Sequence, residues 1–263
     1  MTASATNSGI AQRFRLDGRT ALVTGASKGL GQAMAEALAE QGARVVLVAR
    51  TTSELDAVAA RIIEKGGQAV VRTCDVTRSA AIRAVIAELE ELDILVNNAG
   101  SNIPEPIEEV TDEHLDYLLD LNTRAYFVVA QAAVTKMKQH PQRLARGASI
   151  INIASQMGHI GSESRTVYCM TKHAVVGLTR AMAIELAATG IRVNSIGPTF
   201  IDTPLVRRVV NTPEKYSTLV SRIPMGRMGT VDDIAAAAVY LASPASGMVT
   251  GAGLLVDGGW TAQ

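Results

Sequence analysis

From Arg19 onward the chain alternates short runs of β-branched residues with longer alanine-rich segments whose apolar residues recur at helical spacing. That alternation is the pattern of βαβ units, because a parallel sheet with helices on both faces is the architecture that buries both kinds of run. Strands are predicted at Thr20–Thr24, Ala43–Ala49, Gln68–Thr73, Asp93–Asn97, Ser149–Ile153, Arg192–Ile196 and Leu254–Val256. Helices are predicted at Gly29–Gln41, Thr52–Lys65, Arg78–Glu90, Asp112–Lys138, Arg165–Ala188, Thr203–Ser221 and Val231–Ala242. Capping chemistry agrees: Thr111 stands ahead of Asp112 and Glu113 as an N-cap, and Gly42, Gly66 and Gly190 follow helices where a left-handed residue is wanted. No linker, charge block or internal repeat divides the chain. The expectation is therefore α/β: residues 16–263 as one domain with a doubly wound, seven-stranded parallel sheet, after a flexible tail at 1–15. Gln139–Gly147 reads as an exposed basic loop in which Arg143 and Arg146 are solvated.

Charge removes several classes of function. Lys+Arg and Asp+Glu are both 25 among 263 residues, so no basic excess draws the chain to nucleic acid or an anionic membrane. Aromatics are 3%, too few for a base-stacking platform. The two cysteines, Cys74 and Cys169, fit a reducing compartment better than a disulfide scaffold, and no apolar run resembles a secretory signal or a membrane span, so a cytoplasmic location is expected. The four histidines form no metal-ligand spacing, and no metal is expected.

The first strand runs directly into Gly25-Ala-Ser27-Lys28-Gly29-Leu30-Gly31 and then the first helix. Glycines at a strand-to-helix turn let backbone N–H groups approach a pyrophosphate, and the helix N-terminus adds the positive end of its dipole. This is the context of a Rossmann-type dinucleotide site. Tyr168 and Lys172 stand four apart in a predicted helix, so their side chains share a face; a neighbouring ammonium favours phenolate and would lower the tyrosine pKa toward a range useful for proton transfer. Ser155 ends the fifth strand, on the edge where doubly wound sheets bind ligands.

The G-x-x-x-G-x-G spacing, together with Cys74-Asp75-Val76, Asn97-Asn98-Ala99-Gly100, Asn122, Ser155, Tyr168-x-x-x-Lys172 and Gly197-Pro198 in that order, resembles the short-chain dehydrogenase/reductase family from about Leu16 to Trp260. One departure is Thr199, where members often carry glycine. The resemblance implies a catalytic tetrad of Asn122, Ser155, Tyr168 and Lys172. It implies hydride transfer between a nicotinamide and a carbonyl or secondary alcohol, with Tyr168 as proton donor, Ser155 bonded to the same oxygen, Lys172 on the ribose, and Asn122 supporting Lys172 through a water relay. Cofactor contacts are expected from Gly25, Ser27, Lys28, Gly29, Leu30, Gly31, Arg50, Thr51, Asp75, Val76, Asn98, Ala99, Gly100, Tyr168, Lys172, Pro198, Thr199, Ile201 and Thr203, and substrate contacts from Ser155, Gln156, His159 and Tyr168.

The second strand ends Val48-Ala49-Arg50-Thr51 with no acid to bond a ribose 2′-hydroxyl, while Arg50 and Lys28 offer cations to a 2′-phosphate, so NADP(H) is expected over NAD(H). The substrate expected is a small polar ketone or secondary alcohol. The alternatives are a carrier-linked 3-oxo ester and a catalytically idle NADP(H) sensor. Carrier-linked reductases of the family tend to place a basic residue at the end of the Tyr/Lys helix, and Ala188-Thr189 stand there instead. The segment Phe200–Ser221 is expected to cover the substrate. Apolar residues run around much of Lys172–Leu186, more than one sheet face needs, and a homotetramer is expected, with that helix and the final strand in the contacts.

Overall fold

The computed structural model describes residues 9–203, 206–207 and 210–263. Its sheet comprises β1 (Thr20–Thr24), β2 (Arg44–Ala49), β3 (Gln68–Thr73), β4 (Ile94–Asn97), β5 (Ala148–Ile153), β6 (Ile191–Pro198) and β7 (Gly253–Val256). Every pairing is parallel, in the order β3-β2-β1-β4-β5-β6-β7. The order reverses between β1 and β4, and the crevice outside the carboxyl ends of such a pair is where doubly wound sheets hold ligands.

Alternation along each strand explains the continuous apolar runs. Ala21 and Val23 face one core with Leu47, Ile151, Met34 and Leu38, while Leu22 between them faces the other with Val46, Leu95, Val129 and Val193. The first core is covered by α1 (Gly29–Glu40), α2 (Thr52–Glu64) and α9 (Val231–Ala242); the second by α3 (Ser79–Ala87), α5 (Ala125–Lys138) and α7 (Thr166–Leu186). Thr111 accepts a hydrogen bond from the His114 N–H as the N-cap of α4 (Asp112–Leu119), and Gly42, Gly66 and Gly190 have positive φ after their helices.

The structure departs from the sequence-based expectation in three places. The single helix predicted at Asp112–Lys138 is α4 and α5 joined through a π turn, Asp120–Arg124, which the apolar periodicity did not reveal. In the stretch expected as a helix from Thr203 to Ser221, α8 (Pro213–Val220) forms, and residues 204–205 and 208–209 lie outside the described residues. Within the segment expected as a flexible tail, residues 1–8 are likewise outside the described residues, while Ile10–Phe14 forms a 3₁₀ helix with the Phe14 ring 6.3 Å from that of Tyr240.

The basic loop is corrected. Arg143 is only 5% exposed and begins a short helix, α6 (Arg143–Arg146). Asp93, buried at the amino end of β4, accepts from Arg143 Nη1 at 3.0 Å, Arg146 Nε at 2.9 Å, Arg19 Nη1 at 3.4 Å and the Thr20 N–H at 3.1 Å. Arg143 also donates to the carbonyls of Met137 and Leu92. The arginines are distant from Asp93 in sequence and meet it only once the sheet is assembled, so charge density alone read them as solvated.

Candidate active site

The β1–α1 turn is a cradle only glycine can line. Gly25 and Gly29 have φ of 65° and 57°, and a Cβ on Gly31 would stand 2.1 Å from the Gly25 carbonyl oxygen. Lys28, the N-cap residue of α1, carries an ammonium that can only donate, so its side chain leaves the amides of the first helical turn unclaimed. Asn98 fixes the turn from the neighbouring strand: its Nδ2 donates to the Thr24 and Gly25 carbonyls at 2.9 and 3.3 Å, and the Thr24 hydroxyl accepts from the N–H groups of Asn98 and Ala99. The Asn98 amide thus shapes the cradle through the backbone.

The other expected cofactor residues lie along the same carboxyl edge. Arg50 and Thr51 follow β2, Asp75 and Val76 follow β3, Ala99 and Gly100 follow β4, and Pro198 ends β6 ahead of Thr199, Ile201 and Thr203. Thr203 closes back on the glycine turn, its methyl 3.8 Å from where a Gly29 Cβ would stand. Burial pushes the Asp75 carboxyl up, but hydrogen bonds from the Thr77 N–H and hydroxyl, with the Arg50 charge, bring it below the ordinary carboxylate value. Lys28 Nζ lies 3.9 Å from Glu54 Oε1 in α2, both exposed. Glu54 was outside the sequence argument, which weighed only the end of β2.

The four residues expected as a tetrad, Asn122, Ser155, Tyr168 and Lys172, gather beside that cradle. Ser155 follows β5 and caps a 3₁₀ turn, its hydroxyl accepting from the Met157 N–H at 3.1 Å. Tyr168 and Lys172 stand one turn apart on α7, with Lys172 Nζ 5.6 Å from the Tyr168 ring centroid. Asn122, in the π turn, is fully buried: its Nδ2 donates to the Ser101 carbonyl at 2.8 Å and the Thr171 hydroxyl at 3.3 Å, and its Oδ1 accepts from the Ser101 N–H at 2.9 Å. A Cβ on Gly100 would touch both Asn122 Oδ1, at 3.0 Å, and Lys172 Nζ, at 3.7 Å, so only a glycine lets these groups close up.

The electrostatics differ from the expectation. Burial pushes the Tyr168 phenol up, opposed by the Ser155 hydroxyl and Arg165. Lys172 is not among the groups that lower it; burial takes the Lys172 amine itself down to about 7. The reason is enclosure: Lys172 is 4% exposed, and desolvation disfavours its charge as it disfavours a phenolate. The amine donates to the Ile153 carbonyl at 2.9 Å.

Among the described residues, buried polar atoms without a partner mark the same edge. They include both amide atoms of Gln156, His159 Nε2, Arg165 Nε, Asn102 Oδ1, Glu105 Oε1, Ser195 Oγ and Thr199 Oγ1. Such groups are rare in folded proteins, and a cluster of them is the signature of a site lined for a polar guest. Gln156 stands next to Ser155. His159 faces elsewhere in part: a Cβ on Gly253 would stand 3.2 Å from its Cε1, and burial first, then Arg180 and His173, push its pKa down.

Known proteins resemble the chain over nearly its whole length. Residues 25–261 match the family described as "Enoyl-(Acyl carrier protein) reductase". A short-chain type dehydrogenase/reductase from Mycobacterium marinum superposes with a TM-score of 0.90 at 39% identity, over 97% of this chain and 100% of that one. The chain belongs to the short-chain dehydrogenase/reductase family. Among its relatives in that family, the D-threitol dehydrogenase of Mycolicibacterium smegmatis is 39% identical over 252 residues, 94% of this chain and 95% of its own. A gluconate 5-dehydrogenase from Burkholderia cenocepacia, solved with NADP and tartrate, superposes with a TM-score of 0.90 at 37% identity over 97% and 100% of the two chains. Its relatives are thus sugar and polyol dehydrogenases. Against this short-chain dehydrogenase/reductase background, the sequence argument missed Tyr126, Ser101 and Thr171, which surround the tetrad. The available signal was spacing: Tyr126 lies four after Asn122, and Thr171 directly precedes Lys172.

Proposed function

We propose that the protein is an NADP(H)-dependent oxidoreductase that interconverts a small polyhydroxy ketone and its secondary alcohol, with Ser155, Tyr168 and Lys172 as the reacting group. The observation that carries this reading is the meeting of Ser155, Tyr168 and a buried Lys172 beside a glycine cradle, among polar atoms without partners in the described residues. The cradle suits a pyrophosphate, since Gly25, Gly29 and Gly31 leave no side chain in its way. The chemistry a bound nicotinamide supplies is the gain or loss of hydride at the substrate carbon. Tyr168, held protonated by burial, donates its proton to the carbonyl oxygen on reduction and recovers it on oxidation. Ser155 holds that oxygen by a hydrogen bond, Lys172 orients the ribose, and Asn122 braces Ser101 against Thr171 behind them.

For the phosphate, Arg50 and Lys28 favour NADP(H), and Glu54 beside Lys28 weakens but does not reverse the preference, because Arg50 keeps its planar fork and β2 ends without an acid. The NADP-bound relative supports this choice. Gln156 and His159 remain the substrate contacts of the proposal. The exposed apolar side chains of α7, Ile184 and Met170, with Phe127 of α5, support assembly as a homotetramer, and the free thiols Cys74 and Cys169 support a cytoplasmic location.

A carrier-linked reductase is the second reading, favoured by the description of the matched family. One experiment separates them: kcat/KM for sugars, polyols, aldonates and acyl-carrier thioesters, each with both NADP(H) and NAD(H), the oxidised form for alcohols and the reduced form for carbonyls. We expect a polyhydroxy substrate with NADP(H) to lead, and Arg50→Ala to weaken NADPH binding by about tenfold or more with NADH nearly unchanged, the loss of a charge-assisted contact. A thioester preference overturns the substrate reading, and equal use of both cofactors overturns the phosphate site.

A further inference from the structure

The Lys172 amine is gripped from outside the helix that carries it. Its Nζ donates to the Ile153 carbonyl at 2.9 Å, and lies 3.5 Å from the Tyr126 hydroxyl. That hydroxyl donates to the same Ile153 carbonyl at 2.9 Å, so lysine, tyrosine and carbonyl close a triangle. The Tyr126 ring centroid lies 5.1 Å from Nζ and the Tyr168 ring centroid 5.6 Å. Tyr126 is 1% exposed, and a phenylalanine would fill nearly the same volume in α5. What packing does not explain is the oxygen: a buried phenol is costly without a partner, and this one takes the carbonyl that the lysine also needs.

We propose that Tyr126 is the positioning residue of Lys172: its hydroxyl, accepting from the amine while donating to Ile153, holds Nζ at the Ile153 carbonyl and beside Gly100. The inference rests on the reading of Lys172 as part of the reacting group. Around the amine, α7 contributes the titratable Tyr168 and α5 the titratable Tyr126, β5 contributes only the Ile153 carbonyl, and the π turn contributes the neutral Asn122. Among the described residues no carboxylate acts on it, and burial is the cause of its lowered pKa. The charge on Lys172 therefore depends on neutral oxygens, of which the Tyr126 hydroxyl is one.

Tyr126→Phe tests this by deleting one atom. Competitive acetylation of the free protein, read at the Lys172 peptide by mass spectrometry across pH, gives the titration midpoint of the amine without any substrate or cofactor. The expected midpoint is lower than wild type by about one pH unit, the scale of one hydrogen bond to a charged group. The limb of kcat/KM for NADPH that follows Lys172 moves with it. Replacing Tyr126 by 3-fluorotyrosine keeps the ring and hydroxyl while weakening the oxygen as an acceptor, and gives a smaller shift of the same sign; it covers the case in which Tyr126→Phe fails to fold. An unmoved midpoint in either folded variant overturns the proposal and leaves Tyr126 as packing. A shifted midpoint in an enzyme inactive on every substrate would instead count against the reading under Proposed function.

Discussion

Tyr168 and Lys172 each resist the charge the other would favour. Burial raises the phenol and lowers the amine, so enclosure works against phenolate and ammonium alike. A phenol that keeps its proton is a competent acid for a forming alkoxide, and it is the proton, not the ring, that chemistry consumes. Tyr168→Phe is expected to lower kcat by roughly two to four orders of magnitude, the scale of a general acid, while the dissociation constant for NADPH, read by fluorescence, stays within about threefold. Retention of near-full turnover would place the proton donor elsewhere. At this scale Asn122, Ser155, Tyr168 and Lys172 stood out in the sequence because their types and order are distinctive, and the structure gathers them at one sheet edge. Their electrostatics were not, because a pKa is set by enclosure, and enclosure comes from residues such as Tyr126 and Ile153 that look in the sequence like any other core residues.

Among elements, the strands and most helices were legible to within a few residues, since period-two and period-3.6 burial leave direct traces in side-chain type. The π turn at Asp120–Arg124 left none: it adds one residue to a single turn, a change the apolar pattern averages over, yet it carries Asn122. The Asp93 cluster was equally invisible, being assembled from segments before β1, β4 and β5. Burial would raise Asp93, but hydrogen bonds from Arg146, the Thr20 N–H and Arg143 bring it down to about 2. A carboxylate whose folded pKa is depressed stabilises the fold fully above its ordinary value of 3.8 and loses that contribution as pH falls toward 2. Asp93→Asn leaves buried guanidinium groups facing a neutral amide, and urea unfolding at pH 7 is expected to show a loss of about 3–5 kcal/mol. The gap between variant and wild type should narrow as the pH is taken down toward 2. A variant as stable as wild type at pH 7 would reduce the cluster to surface ion pairing.

Over the whole molecule, the two edges of one sheet are built on opposite plans. The amino edge is saturated: Asp93, Arg19, Arg143 and Arg146 satisfy one another and the carbonyls of Gly18, Leu92 and Gly147. The carboxyl edge holds the glycine turn, the tetrad and the buried polar atoms that lack partners. The chain therefore carries a gradient along its strands, and amide hydrogen exchange reads it directly. Protection should be high for amides near Thr20, Ser149 and Asp93 and lower in the loops carrying Asn102, Gln156 and Thr199, and addition of NADPH should slow exchange in the second group while leaving the first unchanged. Uniform protection from end to end, with or without cofactor, would contradict it. A ligand that completes the unsatisfied edge would then act on this protein as a last structural member, stiffening the half that evolution left unfinished and leaving the anchored half as it was.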